Sequence, residues 1–320
     1  MIEIFKTLPE GGLAPIEAPV EGCWVHLAEP TREEREWLAE TLEVEPELLA
    51  SMFDREESAH VDVDEDARQT LVVLDYPAIE DDAESADPDS VQYETRPLSI
   101  LVLQTAKIIV TLALYPNCHV IDAMRAGRIK GINTALRSRM LFSMALFISQ
   151  RFQVCLRNID RQFNKDEKVL RKTMRNAELI RMLGLQKSLV YFSSSLKSDE
   201  ATLLRIRNRR SIKLYTEDEE LLDDVFIELR QASETCDIYT GILEGTMDTF
   251  SAIISNNAND IIKTLTIVTL VLAFPTIIFS FYGMNVDVLP LAMHWVFPTI
   301  IAAVFILVAV IIMMRHKMFR

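Results

Sequence analysis

Several kinds of motif are missing from this 320-residue sequence, and each absence removes a class of function. It has no glycine-rich phosphate loop, no nucleophile elbow and no paired acid/base motif, so we do not expect an enzyme. Its five histidines lack metal-ligand spacing, and its four cysteines (Cys23, Cys118, Cys155 and Cys236) form no C-x-x-C pair. Unpaired thiols of this kind are typical of a cytosolic body. The first residues lack the basic and apolar regions of a cleavable signal peptide, so we expect targeting to come from elsewhere.

Charge is missing from two long runs near the end of the chain. Residues 264–282 and 295–314 hold 19 and 20 residues without a charged side chain. A helix of about 20 apolar residues crosses roughly 30 Å of hydrocarbon. The sequence therefore predicts transmembrane helices at 261–282 and 294–314, joined by an external loop at 283–293. Such a hairpin makes the chain a multi-pass membrane protein in contact with the lipid bilayer.

The flanking charges predict the orientation of this hairpin. Lys263 precedes the first run and a basic tail, 315–320, follows the second, whereas the loop holds Asp287 and no Lys or Arg. Positive charge favours the cytoplasmic side of a membrane. We therefore expect both termini in the cytoplasm and a location in the cell (inner) membrane.

The rest of the sequence predicts an α+β body. Residues 1–116 alternate strand-like and helical patterns and predict a cytoplasmic α/β domain, with strands at 23–27, 69–76, 97–104 and 107–114. Thr31 and Glu34 have capping-box spacing at the start of a helix, and a second helix follows Pro46. Residues 62–66 are an acidic segment, and residues 80–89 are an acidic loop. Residues 117–215 predict two long antiparallel helices, 138–173 and 176–208.

A stalk helix is predicted at 216–260, running without proline into the first span. Thr216 and Glu219 again have capping-box spacing at its start. One apolar position repeats every seven residues, as in a coiled coil: Leu222, Leu229, Cys236, Leu243 and Phe250. We interpret this seam as a contact between copies of the chain, so it predicts an oligomer.

Charge is segregated along the chain. Residues 1–100 hold 27 acids and 6 bases, residues 122–213 hold 7 acids and 21 bases, and residues 217–260 hold 12 acids and one base. The blocks are interpreted either as faces that complement each other within an assembly or as an acidic body that concentrates cations near a pore. The basic helices lack interleaved aromatics and lie beside acidic ones, so we expect no nucleic-acid partner.

The first span carries small and hydroxyl-bearing side chains on one helical face. The members are spaced four, three and four apart, and polar positions continue the face upstream: Thr269, Ala273, Thr276 and Ser280, with Asn259, Ile262 and Thr266 before them. Such a face is interpreted either as packing between membrane helices or as a pore lining. Two spans cannot enclose a water path, so a pore requires several copies. Asn285 would stand at the outer mouth, where a ring of amide oxygens suits Mg²⁺, which gives up its water shell reluctantly.

Three stretches resemble the CorA-type divalent-cation transporter family. The first is Tyr282-Gly283-Met284-Asn285 between two C-terminal spans. The second is N-D-I-I-K-T-L-T-I at 259–267, similar to the family's N-E-V-M-K-x-L-T-I. The third runs from Trp24 through Pro30 and Thr31 to Leu38 and resembles W-x-D-L-x-x-P-T-x-x-E-x-x-x-L. The resemblance covers nearly the whole chain.

The resemblance implies a homopentamer with a funnel-shaped cytoplasmic body that passes Mg²⁺ through one central pore, without a catalytic cofactor. It implies a selectivity filter at Gly283, Met284 and Asn285, with Asn285 holding the ion through its hydration shell. It also implies a pore lined by Asn259, Ile262, Leu265, Thr269, Ala273, Thr276 and Ser280.

The resemblance further implies that bound cytosolic Mg²⁺ holds the channel closed. The matching stalk carboxylates are Asp248 and Asp224, and a partner is expected among Glu80, Asp81 and Asp82. The acid found in many relatives' outer loop is missing at Leu289-Pro290-Leu291, which leaves Asp287. A Zn²⁺ or broad-range divalent-cation transporter therefore stays an alternative, as does a non-conducting, membrane-anchored sensor of divalent ions.

Overall fold

The structure is a computed structural model that describes residues 1–8, 12–80, 91–129, 131–173, 176–209, 212, 214–284 and 296–315. The chain forms two compact units, Met1–Gly245 and Thr246–Arg320. The finer division predicted at residues 116, 215 and 260 stays a prediction.

A seven-stranded mixed sheet organises the first unit. Its strands are β1 (Ile2–Thr7), β2 (Leu13–Pro15), β3 (Cys23–Ala28), β4 (His60–Asp64), β5 (Gln69–Ile79), β6 (Tyr93–Leu103) and β7 (Ile108–Ala113). The strand order is β2-β1-β3-β7-β6-β5-β4, with β3 and β7 parallel and the other neighbours antiparallel. The four strands expected from the sequence are confirmed as β3, β5, β6 and β7.

Helices α1 (Arg32–Thr41) and α2 (Pro46–Met52) form a shared apolar core with the sheet. The capping box is confirmed: the Glu34 N–H donates to the Thr31 hydroxyl, and the Glu34 carboxylate accepts from the Thr31 N–H at 2.9 Å. Leu38 is fully buried against the sheet. Local capping and the helical spacing of apolar residues therefore fix this part of the fold.

Three of the seven strands, the edge strands β2 and β4 and the inner strand β1, were not expected from the sequence. β4 includes Asp62 and Asp64 from the acidic segment, and β1 and β2 are short and only partly buried. Charged residues on an edge strand oppose pairing with another sheet, and they also hide the apolar alternation that identifies a strand.

The two long helices agree with the prediction to within one residue at each end, and the short helix before them was not expected. After α3 (His119–Arg125), the two long helices are α4 (Arg137–Thr173) and α5 (Asn176–Arg209). α6 (Thr216–Tyr282) contains 67 residues, including Pro275, and extends from the first unit into the second. α7 (Val296–Arg315) is the last helix of the described chain.

The heptad seam of α6 is buried inside a single chain. Leu222, Leu229, Cys236, Leu243 and Phe250 are each at most 4% exposed. The Cys236 thiol donates to the Leu189 carbonyl of α5 at 3.3 Å. The interpretation of this seam as a contact between copies is therefore wrong. A heptad pattern specifies that a helix packs along that face, but not whether the packing partner belongs to the same chain.

The charge blocks also pair within the chain. Four acids of α6 contact basic or amide side chains of α4 and α5: Arg139–Glu217 at 2.5 Å, Gln153–Glu228 at 2.6 Å, Arg207–Asp223 at 3.0 Å and Lys197–Asp237 at 3.9 Å. Arg230, the one base in the acidic segment 217–260, pairs with Glu200 of α5 at 2.9 Å. This supports the interpretation of complementary faces. Exposed pairs of this kind contribute little stability individually, so they set the register more than the strength of the packing.

Asp218 organises the start of α6. Its carboxylate accepts from the Tyr215 N–H at 3.2 Å and from the buried Ser138 hydroxyl of α4 at 2.6 Å. The predicted Thr216/Glu219 capping box is therefore wrong by one residue. The tertiary hydrogen bond to Ser138 favours Asp218 over its neighbour.

A pair of buried carboxyl groups joins the sheet to α5. The Asp75 N–H on β5 donates to Asp199 Oδ1 at 2.9 Å, and the two residues are 9% and 2% exposed. Burial raises the pKa of both groups, and the neighbouring Asp75 raises the pKa of Asp199 further. Burial of this kind favours the protonated, neutral form of each carboxyl group.

We expect Asp199→Asn to raise the thermal midpoint of the full-length protein at pH 8 by several degrees and to change it little at pH 4. The raised folded-state pKa means that the acid supports folding at low pH and that this support is lost as pH rises. The asparagine oxygen still accepts the Asp75 N–H but needs no proton. Thermal unfolding in detergent across this pH range measures the difference, with exposed Asp237→Asn as the control. A shift that is equal at both pH values would contradict a raised pKa of Asp199 in the folded protein.

Candidate cation pathway and regulatory carboxylates

One face of α6 in the second unit packs on α7. Ile267 of α6 and Ala302 of α7 are 4% and 3% exposed. The rings of Phe274 and Phe305 stack with centroids 5.8 Å apart. At about 100° per residue, Ile267 and Phe274 lie on the same side of α6, which is the side of the hairpin contact.

The predicted pore-lining face lies on the opposite side of α6. The same geometry places Thr269, Thr276 and Ser280 about 140–180° around the helix from Ile267. These three residues are exposed in the single chain, and Ala273 is half-buried. The upstream members of the face are also exposed: Asn259, Ile262 and Leu265. The hydroxyl face is therefore not used to pack the two helices of its own chain together.

The threonine hydroxyls on this side are oriented by the helix itself. Thr266, Thr269 and Thr276 each donate to the carbonyl four residues earlier at 2.8 Å. Because the hydroxyl proton is held by the backbone, the oxygen lone pairs are left to accept hydrogen bonds. A face with this polarity suits the water molecules around a hydrated cation, whose protons point outward.

α6 ends at the first residues of the predicted filter. The Gly283 N–H donates to the Phe279 carbonyl at 2.8 Å, and Met284 is 53% exposed. A Cβ on Gly283 would lie 3.1 Å from the Phe279 oxygen, which is a tight contact. Asn285, the rest of the external loop and residues 316–320 of the basic tail lie outside the described residues.

Among the described residues, the predicted regulatory carboxylates Asp224 and Asp248 do not belong to a metal site within one chain. Asp224 and Asp248 are exposed on α6 and belong to different units. Within the described ranges, no group of three or more His, Cys, Asp or Glu side chains is arranged to hold a metal ion.

Glu80, one of the three proposed partners, is bonded to a lysine. Its carboxylate accepts from Lys187 Nζ at 2.9 Å, and this bond raises the pKa of Lys187. Asp81 and Asp82 lie outside the described residues. Sequence analysis missed the Glu80–Lys187 pair because the two residues are far apart in the chain and neither belongs to a motif.

Of the histidines, His26 lies in the core and is 2% exposed. Its Nδ1 is 2.9 Å from the Thr111 hydroxyl, and burial lowers its pKa to about 4. It is therefore neutral at physiological pH, and its role is structural.

α6 is long and apolar enough to cross a membrane, and only 6% of its most apolar 18-residue stretch is buried by the rest of the chain. The described part of α7 contributes a shorter apolar helix, Pro298–Val308. A membrane-spanning helix in the first predicted position is thus consistent with the structure.

Comparison with known proteins relates the chain to one family. The family model described as CorA-like Mg²⁺ transporter protein matches residues 21–317. The cobalt/magnesium transport protein CorA of Methanocaldococcus jannaschii is 26% identical over 300 residues, which cover 93% of this chain and 89% of the relative.

Solved structures show the same fold. The complete structure of the CorA magnesium transporter from Methanocaldococcus jannaschii has a TM-score of 0.79 and 21% identity, and the match covers 98% of both chains. The cytoplasmic domain of ZntB from Vibrio parahaemolyticus has a TM-score of 0.58 and 15% identity, and covers 80% of this chain and 97% of that domain.

Proposed function

This chain belongs to the CorA-like family of Mg²⁺ transporter proteins, and we propose that it carries divalent cations, Mg²⁺ first, through the central pore of a homopentamer in the cell membrane. Transport is passive, because the membrane potential alone contributes about 2.3 kcal/mol per charge per 100 mV. Mg²⁺ is the substrate of this process and not a resident cofactor.

The observation that supports the pore is the free hydroxyl face of α6. Thr269, Thr276 and Ser280 lie away from the Phe274–Phe305 contact with α7 and are exposed. Exposed hydroxyls gain nothing against lipid, but copies arranged around an axis would turn this face toward a shared water path. Because the heptad seam is already buried within the chain, the argument for several copies rests on this face.

In this proposal α6 and α7 both span the membrane and both termini are cytoplasmic. Asn285 forms a ring at the outer mouth and accepts hydrogen bonds from water bound to Mg²⁺. Gly283 and Met284 complete the filter. Below it, the hydroxyl oxygens of α6 receive the hydrated ion without a fixed charge that would trap it.

Regulation is proposed to come from cytosolic Mg²⁺ bound between subunits. Asp224 and Asp248 are exposed carboxylates on the helix that also carries the hydroxyl face. Mg²⁺ needs several oxygen ligands, and one chain supplies no such group among its described residues. Carboxylates of neighbouring subunits, including Glu80 if Lys187 releases it, would complete the coordination.

Ion uptake into proteoliposomes tests the proposed function. The full-length protein is reconstituted with Mg²⁺- and Zn²⁺-sensitive dyes inside, with and without an imposed potential. We expect Mg²⁺ uptake that rises with inside-negative potential and falls when the vesicles are loaded with Mg²⁺. Uptake of neither ion by intact oligomers, with internal Mg²⁺ removed, would exclude transport and leave the sensor.

The second candidate is a Zn²⁺ or broad-range transporter on the same scaffold. It is favoured by the likeness to the ZntB cytoplasmic domain and by the outer loop, where Leu289-Pro290-Leu291 carries no acid. Zn²⁺ uptake without Mg²⁺ uptake in the same vesicles would select it.

A further inference from the structure

The first strand of the sheet is open on one side at its N-terminal end. β1 pairs with β3 along Ile2–Lys6. On its other side it pairs with β2 only from Phe5 to Thr7, so the part from Ile2 to Ile4 has no neighbouring strand there. β1 is therefore an inner strand at one end and an edge strand at the other.

The alternation of backbone hydrogen bonds shows which residues of β1 face the open side. Met1 and Ala28 exchange two hydrogen bonds, from the Met1 ammonium to the Ala28 carbonyl and from the Ala28 N–H to the Met1 carbonyl. In an antiparallel pair every second residue bonds across to the neighbouring strand. The N–H and C=O groups of Ile2 and Ile4 therefore point away from β3.

Two of these four outward groups lack a partner. The Ile2 N–H donates to the Glu34 carboxylate, and the Ile4 carbonyl accepts from the Ile16 N–H at 2.8 Å. Among the described residues, none bonds to the Ile2 carbonyl or to the Ile4 N–H, although Ile4 is only 8% exposed. A buried backbone group without a hydrogen bond is costly, so a chain that supplies one would bind favourably.

One residue of an added strand can bond to both free groups. In parallel pairing, a residue donates its N–H to the carbonyl just before the residue it faces, and its own carbonyl accepts the N–H just after. A residue that faces Glu3 would therefore donate to the Ile2 carbonyl and accept from the Ile4 N–H. The two groups left free are the pair that a parallel strand uses.

A mainly apolar groove of about 570 Å³ lies along this open end. It is lined by residues 2–5 of β1, residues 15–17 and Trp37 of α1. Ile2, Ile16 and Trp37 pack against the apolar core on the α1 side of the sheet. Because side chains alternate along a strand, the two neighbours of a residue that faces Glu3 would point into this groove. The groove therefore suits apolar side chains at these two positions.

The rim of the groove is acidic. Glu17 lines it and is exposed. Glu33 and Glu40 are exposed and lie one turn from Trp37 on the same side of α1. None of these three acids forms an ion pair with a residue of the described chain.

Two cations beside β1 are already bound to other acids. The Met1 ammonium pairs with Glu34, and Arg125 pairs with Glu3. They leave the charge of the rim uncompensated. A basic partner is therefore favoured, and an acidic one is repelled.

We propose that this groove binds an extended segment of a partner protein in which basic residues flank a short apolar stretch. Strand addition of this kind gains affinity from backbone hydrogen bonds and specificity from pockets for alternate side chains. Pairing between the same edges of two copies is disfavoured, because it would bring two acidic rims together. The interaction is separate from ion transport and does not depend on it.

A synthetic peptide tests the groove on the full-length protein. The probe is a fluorescent pentapeptide, lysine-isoleucine-alanine-isoleucine-lysine, with both ends blocked. The protein carries no tag at its N-terminus, next to the groove, and is held in nanodiscs of neutral phosphatidylcholine. We expect saturable binding by fluorescence anisotropy, and none to empty nanodiscs.

The matched control peptide carries a methyl group on the alanine nitrogen. It keeps the charge and the apolar side chains but cannot donate to the Ile2 carbonyl. Because one hydrogen bond is lost, we expect about five- to tenfold weaker binding.

A charge reversal on the protein tests the acidic rim. Glu17→Lys replaces an attraction for the lysine side chains with a repulsion, and we expect about five- to tenfold weaker binding of the first peptide. Glu65→Lys is the control, since Glu65 is exposed in the turn between β4 and β5. We expect this control to bind as the unchanged protein does.

Equal binding of the two peptides would overturn the proposal, because the contact would then not be strand addition. Equal effects of the Glu17 and Glu65 substitutions would also overturn it, and so would the absence of saturable binding below about 1 mM peptide. In that last case, hydrogen-exchange protection of the Ile4 amide that is lost when the oligomer dissociates would show that a second copy covers the groove. Failure of ion uptake would leave the peptide result unaffected.

Discussion

Replacing Asn285 with alanine is expected to lower strongly the Mg²⁺ uptake by otherwise intact oligomers. In the proposed pore, each subunit contributes one amide oxygen that accepts a hydrogen bond from the ion's water shell. A hydrogen bond of this type contributes about 0.5–1.5 kcal/mol, and the substitution removes one from every subunit at once. We therefore expect at least about a tenfold fall in the initial uptake rate, measured with an internal Mg²⁺ dye.

Asn285→Gln is the matched control for this change. It keeps the amide but moves it by one methylene group, so we expect uptake between that of the alanine variant and that of the unchanged protein. Oligomer size is checked for each variant by size-exclusion chromatography. Unchanged uptake in Asn285→Ala would remove the amide ring from the mechanism and would agree with a sensor that tolerates the substitution.

Placing a large side chain on the hydroxyl face should block the pore. Ala273 is half-buried and lies between Thr269 and Thr276 on that face. In a pentamer, Ala273→Trp would add an indole ring from every subunit at the same level of the axis, where an ion with its water shell has to pass. We expect uptake to fall to the level of protein-free vesicles.

Val268→Trp is the control for this steric argument. Val268 is 48% exposed and lies about 140° around α6 from Ala273 and about 100° from Ile267, away from both the proposed axis and the α7 contact. The added ring would there meet lipid, and we expect near-normal uptake. Blocked uptake in Val268→Trp with normal uptake in Ala273→Trp would show that the pore is not lined by the hydroxyl face of α6.

These experiments depend on how the proposed oligomer is built. The sequence offered two arguments for several copies, and the structure retains one of them. The seam from Leu222 to Phe250 is satisfied by packing inside the chain, whereas the face from Thr269 to Ser280 is not. The free energy that holds copies together is therefore expected to come from surfaces other than the heptad seam.

Local rules made much of the fold predictable from the sequence. The Thr31/Glu34 capping box, the strands β3, β5, β6 and β7, and the bounds of α4 and α5 depend on near neighbours and on the spacing of apolar residues. The uncharged run that ends at Tyr282 is equally visible, because a bilayer imposes a minimum length on any apolar helix. The family was recognisable because its motif lies at the end of that run.

Contacts between distant residues could not be predicted in the same way. Asp75 and Asp199 are 124 positions apart, and nothing near either residue in the sequence indicates that it will be buried beside another acid. The preference for Asp218 over Glu219 at the start of α6 likewise depends on Ser138 of α4. Edge strand β4 is stabilised by pairing with β5, while two of its own five residues are acidic.

The sequence by itself determined which segments are helical, which run is apolar enough to enter a membrane, and which side chains form the hydroxyl face. These properties follow from the order of neighbouring residues. Only the tertiary structure decided which faces are already occupied: the heptad seam is, and the hydroxyl face is not. The physical reason is that a helical pattern defines a face of given polarity, whereas the element that covers this face is selected by the packing of the whole chain.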